Sequence, residues 1–162
     1  MTASSRRLNR REDIRVTDDQ QGLLRPCDVR GLLHSHTRYA DGAHSLRRMV
    51  ETARDLGLEY LGISDHARSA RHPEGLDLAD EEHQHEEIAG LQREFPDVAV
   101  LHGVEVDVTP DGTLLLPDAI LTQVDYVLAD LPAPQGHTRE SYTEAVLRVV
   151  RHPEVNILSK PM

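Results

Sequence analysis

Aromatic residues, cysteines and long apolar runs are all scarce in this sequence. One Phe, four Tyr and no Trp argue against a function that stacks nucleic-acid bases on aromatic side chains. The single cysteine, Cys27, excludes an internal disulfide and fits a reducing cytosol, so we expect a cytoplasmic protein. Because no apolar run is long enough for a membrane span or a secretory signal, we expect neither.

Basic residues are also in deficit, and the deficit is uneven along the chain. The formal net charge is -10. Residues 1–30 carry seven Arg against five acidic residues, whereas residues 31–162 carry eleven Lys or Arg against twenty-three Asp or Glu. An acidic body has no broad attraction for nucleic acid, because that binding depends on neutralising phosphates. Bound divalent cations would offset part of this negative charge.

The hydrophobic pattern divides the chain into two regions. Residues 1–27 are polar, contain a cluster of arginines and lack a sustained apolar period, so they are predicted to be a flexible basic extension or linker. A nucleic-acid contact through this segment is the alternative interpretation. Residues 28–162 alternate apolar runs with helical periodicity and are predicted to form one folded domain.

Short apolar runs and amphipathic segments alternate along the folded region. This order predicts an α/β fold in which crossover helices join parallel strands. Strands are predicted at residues 29–33, 60–63 and 98–104, within 126–132 and at 155–158, and the main helices at 45–56, 79–95 and 138–151. His83 and His85 lie among glutamates on the second helix, so we expect both to face solvent.

Imidazole and carboxylate side chains mark the ends of three consecutive predicted strands. His34 and His36 follow the first strand and Asp41 lies in its loop, while His66 and Glu105 follow the second and third strands. Because parallel strands present their C-terminal ends at one edge, we expect these side chains to converge. Such ligands suit zinc, manganese or iron. The alternative for His34 and His36 is a pair of surface histidines at a strand end.

Four segments that carry these residues resemble the polymerase and histidinol phosphatase (PHP) family. They are DVRGLLHSHT at 28–37, YADG at 39–42, ISDHARS at 63–69 and GVEVDVTPDG at 103–112. The nearest branch is similar to the PHP domain that follows the polymerase core in bacterial family X DNA polymerases. The resemblance implies a distorted (β/α)7 barrel with a trinuclear metal site, of which this chain supplies five strands. It also implies hydrolysis of phosphoesters, including the 3′-terminal nucleotides of DNA.

The resemblance also assigns roles to individual residues. His34, His36 and Glu105 match one metal subsite and the catalytic set, with Glu105 bridging to a second cation. Asp41 and His66 match a third subsite. The implied cofactors are Zn2+ or Mn2+, up to three in the family and fewer expected here.

Several ligands of the family are missing from this chain. The family has a histidine where this chain has Pro132 and another where it has Lys160, and its last two ligands would fall beyond Met162. A protonated lysine has no lone pair to offer a metal. His137, which follows soon after Pro132, is a candidate substitute for the missing imidazole. Metal binding is therefore better supported than turnover.

Three functions follow from these observations. The first is a PHP-type phosphoesterase weakened by lost ligands, with Arg68, Arg71 and Lys160 as phosphate contacts. The second is a catalytically inactive metal-binding or structural module. The third is a DNA-repair accessory that contacts DNA through residues 6–15, and DNA 3′ ends are a candidate partner of the chain. Because five strands cannot close the barrel, we also expect self-association or a partner chain at the open edges.

Overall fold

Five parallel strands form one sheet, and their order in space is their order along the chain. The computed structural model describes residues 23–131 and 136–160. The strands are β1 (Gly31–Ser35), β2 (Tyr60–His66), β3 (Ala99–Asp107), β4 (Tyr126–Asp130) and β5 (Val155–Ser159). Sequential order with parallel neighbours is the pattern of a barrel and differs from that of a doubly wound sheet. The predicted partial α/β barrel is confirmed.

Helices lie in each connection between successive strands. They are α1 (Leu46–Asp55), α2 (Leu78–Glu94), α3 (Asp118–Leu121) and α4 (Arg139–Val150). α1 begins where the sequence predicts, because Ser45 Oγ accepts the backbone N–H of Arg48 at 3.3 Å. The apolar faces of α1 and α2 then pack on β2 in one core cluster that includes Val50, Ile63 and Leu91. This packing holds the two helices against β2 and against Val100 of β3.

β2 and β3 are longer than their apolar runs predict. The parallel pairing of the two strands continues through His66 and Glu105, which are directly in register. Glu105 therefore lies inside β3, and the prediction that it follows the strand is wrong. Buried polar side chains continue a strand when they have polar partners, and the apolar pattern alone does not reveal those partners.

β1 departs from the prediction in a different way. It spans Gly31–Ser35 rather than residues 29–33, and its pairing with β2 shifts between Leu32 and Ser35. Within this irregularity His34 adopts a positive φ of 65°. Leu32 and Leu33 are 47% and 42% exposed, so the described edge of the sheet is apolar at β1, as expected. Self-association through this edge stays a prediction.

Parts of two sequence predictions lie outside the described residues. The extension predicted at 1–27 enters the described range only at Leu23, where the chain is exposed and leads into a 3-10 turn at Pro26–Asp28. Segment 6–15 and Pro132 also lie outside this range. Among the helices that are described, none combines the length and the apolar character needed to cross a membrane. The domain boundary near residue 28 stays a prediction.

Candidate metal centre

Three imidazoles surround one buried carboxylate at the C-terminal ends of the strands. Oε2 of Glu105 lies 2.9 Å from His34 Nε2, 3.1 Å from His36 Nε2 and 3.4 Å from His66 Nδ1. The Glu105 side chain is 1% exposed, and His66 is also buried. Residues from β1, the loop that follows it, β2 and β3 therefore converge on one atom. The structure thus brings together four of the five side chains that the sequence groups as metal ligands.

The side-chain directions of His34 and His36 do not follow the simple alternation of a regular strand. In a regular strand, two residues separated by one would share a face. Here His34 has a positive φ at the point where the pairing of β1 with β2 shifts, and both rings still reach Glu105. The rings of His34 and His36 lie with their centroids 5.1 Å apart. The two imidazoles therefore converge as expected, although regular alternation along a strand does not explain their arrangement.

Asp41, the fifth predicted ligand, contacts His36 and not Glu105. Its Oδ1 lies 2.7 Å from His36 Nδ1, which leaves the other ring nitrogen of His36 facing Glu105. A carboxylate on the far nitrogen of a metal-binding histidine fixes the ring and its tautomer. Gly42 lets this loop close, because a Cβ at that position would collide with the His36 carbonyl group. One potential ligand atom from each of Asp41, His36 and His66 also lies within 4.8 Å of the other two, which is close enough for the three to hold a cation.

Asp65 is a positioning residue that the sequence did not single out by role. It is fully buried, and its carboxylate accepts the backbone N–H and the hydroxyl of Thr37, both at 2.6 Å. Gln84 Nε2 on α2 donates to the same carboxylate at 2.7 Å. The loop that carries His36 is thereby tied to the tip of β2. The signal in the sequence was the placement of an aspartate directly before His66.

Hydrogen bonding and burial set the protonation of the central groups. Burial alone would raise the pKa of Glu105, but hydrogen bonds from His36 and His34 outweigh it and lower that pKa to about 2. The hydrogen bond to Glu105, with help from Asp41, raises the pKa of His36 to about 9. Burial lowers the pKa of His66 below 6.5. In the absence of a cation, Glu105 is ionised and forms an ion pair with a protonated His36.

A divalent cation fits this donor set. Three imidazole nitrogens and a carboxylate are ligands that zinc and related metals take. Within the described residues, Glu105 Oε1 and His66 Nδ1 are buried without a hydrogen-bond partner, which is a costly arrangement unless another group satisfies them. A cation beside Glu105 would provide that partner and would replace the proton on His36.

A second polar cluster lies beside the first and was missed from the sequence. Atoms of His72, Asp107 and Asp130 approach within 4.8 Å of one another, and the ring of His72 stacks on that of His66 with centroids 3.5 Å apart. Arg71 contacts both carboxylates. No apolar or spacing rule links these residues, because the loop after β2 has to fold back over the sheet before they meet.

The three predicted phosphate contacts have different positions. Arg71 and Lys160 lie at the second cluster, with Lys160 Nζ 3.6 Å from Asp130 Oδ1. Arg68 donates instead to the carbonyl of Gly75 at 3.0 Å and pairs with Asp77 at 3.2 Å. The structure therefore does not bring Arg68 to the centre.

His137, weighed as a substitute ligand, contacts the first turn of α4. Its Nδ1 lies 3.4 Å from Ser141 Oγ, and its ring packs against Tyr142 with centroids 5.6 Å apart. His83 and His85 are both exposed on α2, as expected. His85 does approach another imidazole, since its Nδ1 lies 3.3 Å from His102 Nδ1. Neither His137 nor this pair joins the groups that surround Glu105.

Comparisons with known proteins agree with this architecture. A family model described as the PHP domain matches residues 33–155. DNA polymerase/3′-5′ exonuclease PolX of Bacillus subtilis is 29% identical over 150 residues, covering 93% of this chain and 26% of the relative. A probable phosphatase of Clostridium novyi is 31% identical over 136 residues, covering 80% of this chain and 53% of the relative.

A solved structure has the same fold. Histidinol phosphate phosphatase from Lactococcus lactis, complexed with zinc, L-histidinol and phosphate, superposes with a TM-score of 0.59 at 22% identity. The superposition covers 82% of this chain and 57% of that one. The chain thus spans about half the length of the phosphatase relatives and about a quarter of the polymerase.

Fold and site together define the class of protein. The strands form part of a parallel α/β barrel, and histidines and a glutamate converge at its C-terminal strand ends. The chain belongs to the PHP domain family, as the match over residues 33–155 shows. The resemblance noted from the sequence is confirmed.

Proposed function

We propose that this chain is a divalent-metal-dependent phosphoesterase that uses His34, His36 and Glu105 as ligands of its principal cation. The observation that carries the proposal is the approach of three imidazole nitrogens to within 3.4 Å of Glu105 Oε2. His66 supplies the third imidazole, and Asp41 either orients His36 or binds a further cation. Zn2+ and Mn2+ are the cations that this donor set favours.

The chain's own residues would divide the work as follows. When bound, a divalent cation polarises phosphoryl oxygens and makes hydroxide available near neutral pH. Glu105 is already ionised, and burial keeps His66 neutral, so both have lone pairs to offer. His36 has to lose its proton before it can bind a cation, and Asp41 then holds the remaining ring N–H. Arg71 and Lys160 supply cationic donors for phosphoryl oxygens.

The substrate is proposed to be a phosphomonoester or a 3′-terminal nucleotide of DNA. The names of the relatives support both, since one is a polymerase/exonuclease and others are probable phosphatases. The acidic body of the chain favours a small phosphomonoester over a long nucleic acid. A cytoplasmic location and a role in DNA repair stay predictions.

The test is a metal-reconstitution assay on the purified chain. Protein stripped with a chelator and reloaded with Zn2+ or Mn2+ is assayed on p-nitrophenyl phosphate and on a 3′-labelled oligonucleotide. We expect Glu105→Gln and His36→Ala to lose more than about 100-fold in activity. Replacing a residue that only orients a metal ligand already costs about 10–100-fold in metal affinity or activity. His83→Ala, on the exposed face of α2, is the matched control and should stay at the wild-type rate. Full activity in metal-loaded Glu105→Gln would refute the proposal.

The inactive module remains the second candidate because of Lys160. An ammonium stands where the family has a ligand, and it lies against Asp130. This alternative predicts stoichiometric metal without turnover on either substrate. The DNA-accessory hypothesis predicts salt-sensitive DNA binding that disappears when residues 1–27 are deleted.

A further inference from the structure

Two buried carboxylates and one imidazole lie together beside the principal metal centre. Asp107 and Asp130 end β3 and β4 and are directly in register. Their side chains are only 1% and 4% exposed. His72 Nε2 approaches Asp107 Oδ1 at 3.7 Å. The family resemblance assigns metal ligands to positions 132 and 160, and it assigns none to these three residues.

Burying two carboxylates side by side is costly unless cations accompany them. Arg71 is the cation in contact with both: one guanidinium nitrogen bonds Asp107 and also donates to the Asp130 carbonyl at 3.1 Å, and the other lies 3.4 Å from Asp130 Oδ2. Compensation is nevertheless incomplete. Asp130 Oδ1 is buried without a hydrogen-bond partner among the described residues, and the ammonium of Lys160 lies 3.6 Å from it.

We propose that His72, Asp107 and Asp130 form a second divalent-cation subsite, and that Arg71 holds the place of this cation until it binds. Three potential ligand atoms already lie within 4.8 Å of one another, which is close enough for one ion to contact all three after small side-chain movements. Arg71 is 43% exposed, so its guanidinium can leave toward solvent without opening the fold. Once displaced, it is free to pair with a phosphoryl group of the substrate.

A stacked pair of histidine rings lies between the two subsites. The imidazoles of His66 and His72 stack within 10° of parallel, and His66 faces Glu105 while His72 faces Asp107. A cation on each side of this histidine pair would offset the negative charge of Glu105 on one side and of Asp107 on the other. The inference deepens the proposed function and gains its catalytic meaning from it, but cation binding here is measurable whether or not the chain turns over substrate.

The experiment is a Zn2+ titration by calorimetry, with bound metal counted by elemental analysis after dialysis. We expect the wild-type chain to bind a second equivalent more weakly than the first. Asp130→Asn should remove the second equivalent only, and His36→Ala should weaken the first while the second remains. Arg71→Gln should tighten the second equivalent by about tenfold because the competing cation is gone, whereas Arg71→Lys should stay near wild type.

Arg68→Gln is the matched control for loss of an arginine in the same loop, because Arg68 pairs with Asp77 and Asp80 instead. Circular dichroism of each variant verifies that it folds. A single equivalent in both the wild type and Arg71→Gln would overturn the inference, and so would an Asp130→Asn variant that binds as many equivalents as the wild type. Failure of turnover with two bound equivalents would count against the proposed function alone.

Discussion

Asp65 binds Thr37 twice, through the backbone N–H and through the hydroxyl, and both contacts are 2.6 Å long and buried. The two residues are separated by 28 positions in the chain, so this pair joins the loop after β1 to the tip of β2. The loop carries His36 and Asp41, whose partners belong to the metal centre. The position of His36 thus depends on a carboxylate whose hydrogen bonds go to Thr37 and Gln84.

Replacing Asp65 by Asn should weaken both the fold and metal binding. The neutral amide cannot accept from Thr37 and Gln84 as the carboxylate does, and a lost hydrogen bond to a buried charged group costs roughly 1.5–3 kcal/mol. Urea unfolding of the metal-free protein measures the loss, and calorimetry measures the Zn2+ affinity. Asp55→Asn, which removes only an exposed pair with Arg54, is the control. Equal stability of the two variants would contradict the assignment.

Asp41→Asn separates the two roles open to Asp41. If Asp41 orients His36, the variant should keep the number of bound cations and lose about 10–100-fold in affinity for one of them. If Asp41 is itself a ligand, one equivalent should disappear from the elemental analysis. An unchanged affinity at unchanged stoichiometry would rule out both roles. Asp111→Asn, in an exposed turn away from the centre, gives the baseline.

The metal-free protein should be most stable near pH 6.5, because the lowered pKa of the buried His66 removes stability as the pH falls below that value. The pKa of His36 is raised from 6.5 to about 9, so its contribution is fully present below pH 6.5 and is lost as the pH rises through 9. The pKa of Glu105 is lowered from 4.5 to about 2, so its contribution is present above pH 4.5 and is lost as the pH falls through 2. Chelator-treated protein unfolded at a series of pH values checks this. His36→Gln should flatten the alkaline side of the profile.

Metal affinity should have the opposite pH dependence on the alkaline side. A cation can bind His36 only after its proton leaves, so apparent affinity should rise with pH up to about 9. Proton release on Zn2+ binding, measured by calorimetry in buffers of different ionisation enthalpy, reports the same event. Little proton release at pH 7 in the wild type would show that His36 does not exchange a proton for a cation.

Gly42→Ala should disrupt the loop, whereas Gly90→Ala should be harmless. A Cβ at Gly42 would meet the backbone of His36 and Thr37, which cannot yield without moving the ligand loop. Gly90 lies within α2 with no atom near its would-be Cβ, so alanine there should stabilise the helix by roughly 0.5–1 kcal/mol. Thermal unfolding together with Zn2+ affinity distinguishes the two variants.

The sequence was sufficient for the barrel and for the residues around Glu105. Apolar runs that alternate with helices predict parallel strands, and the rule that C-terminal strand ends meet at one edge then brings His36, His66 and Glu105 together. The same rule could not describe the bulge at His34, because bulges arise from pairing between strands and leave no apolar signature.

The cluster of His72, Asp107 and Asp130 could not be predicted from the sequence for a similar reason. Asp107 lay beyond the predicted end of β3, and His72 and Arg71 lie in a loop whose path depends on tertiary contacts. Charged residues in a loop are usually solvated, so the contacts of Arg71 and His72 with Asp107 are visible only in three dimensions. By contrast, the helix predicted at 138–151 is present as α4, with Thr138 as its N-cap.

The positive φ of His34 lowers the stability of the fold at a position whose imidazole contacts Glu105. Only glycine adopts this conformation without steric cost, and a histidine held there lowers the free energy of unfolding. A laboratory evolution experiment that rewards heat resistance alone should therefore enrich glycine or asparagine at position 34. The survivors would tolerate higher temperature and would have given up one of the three imidazoles at Glu105.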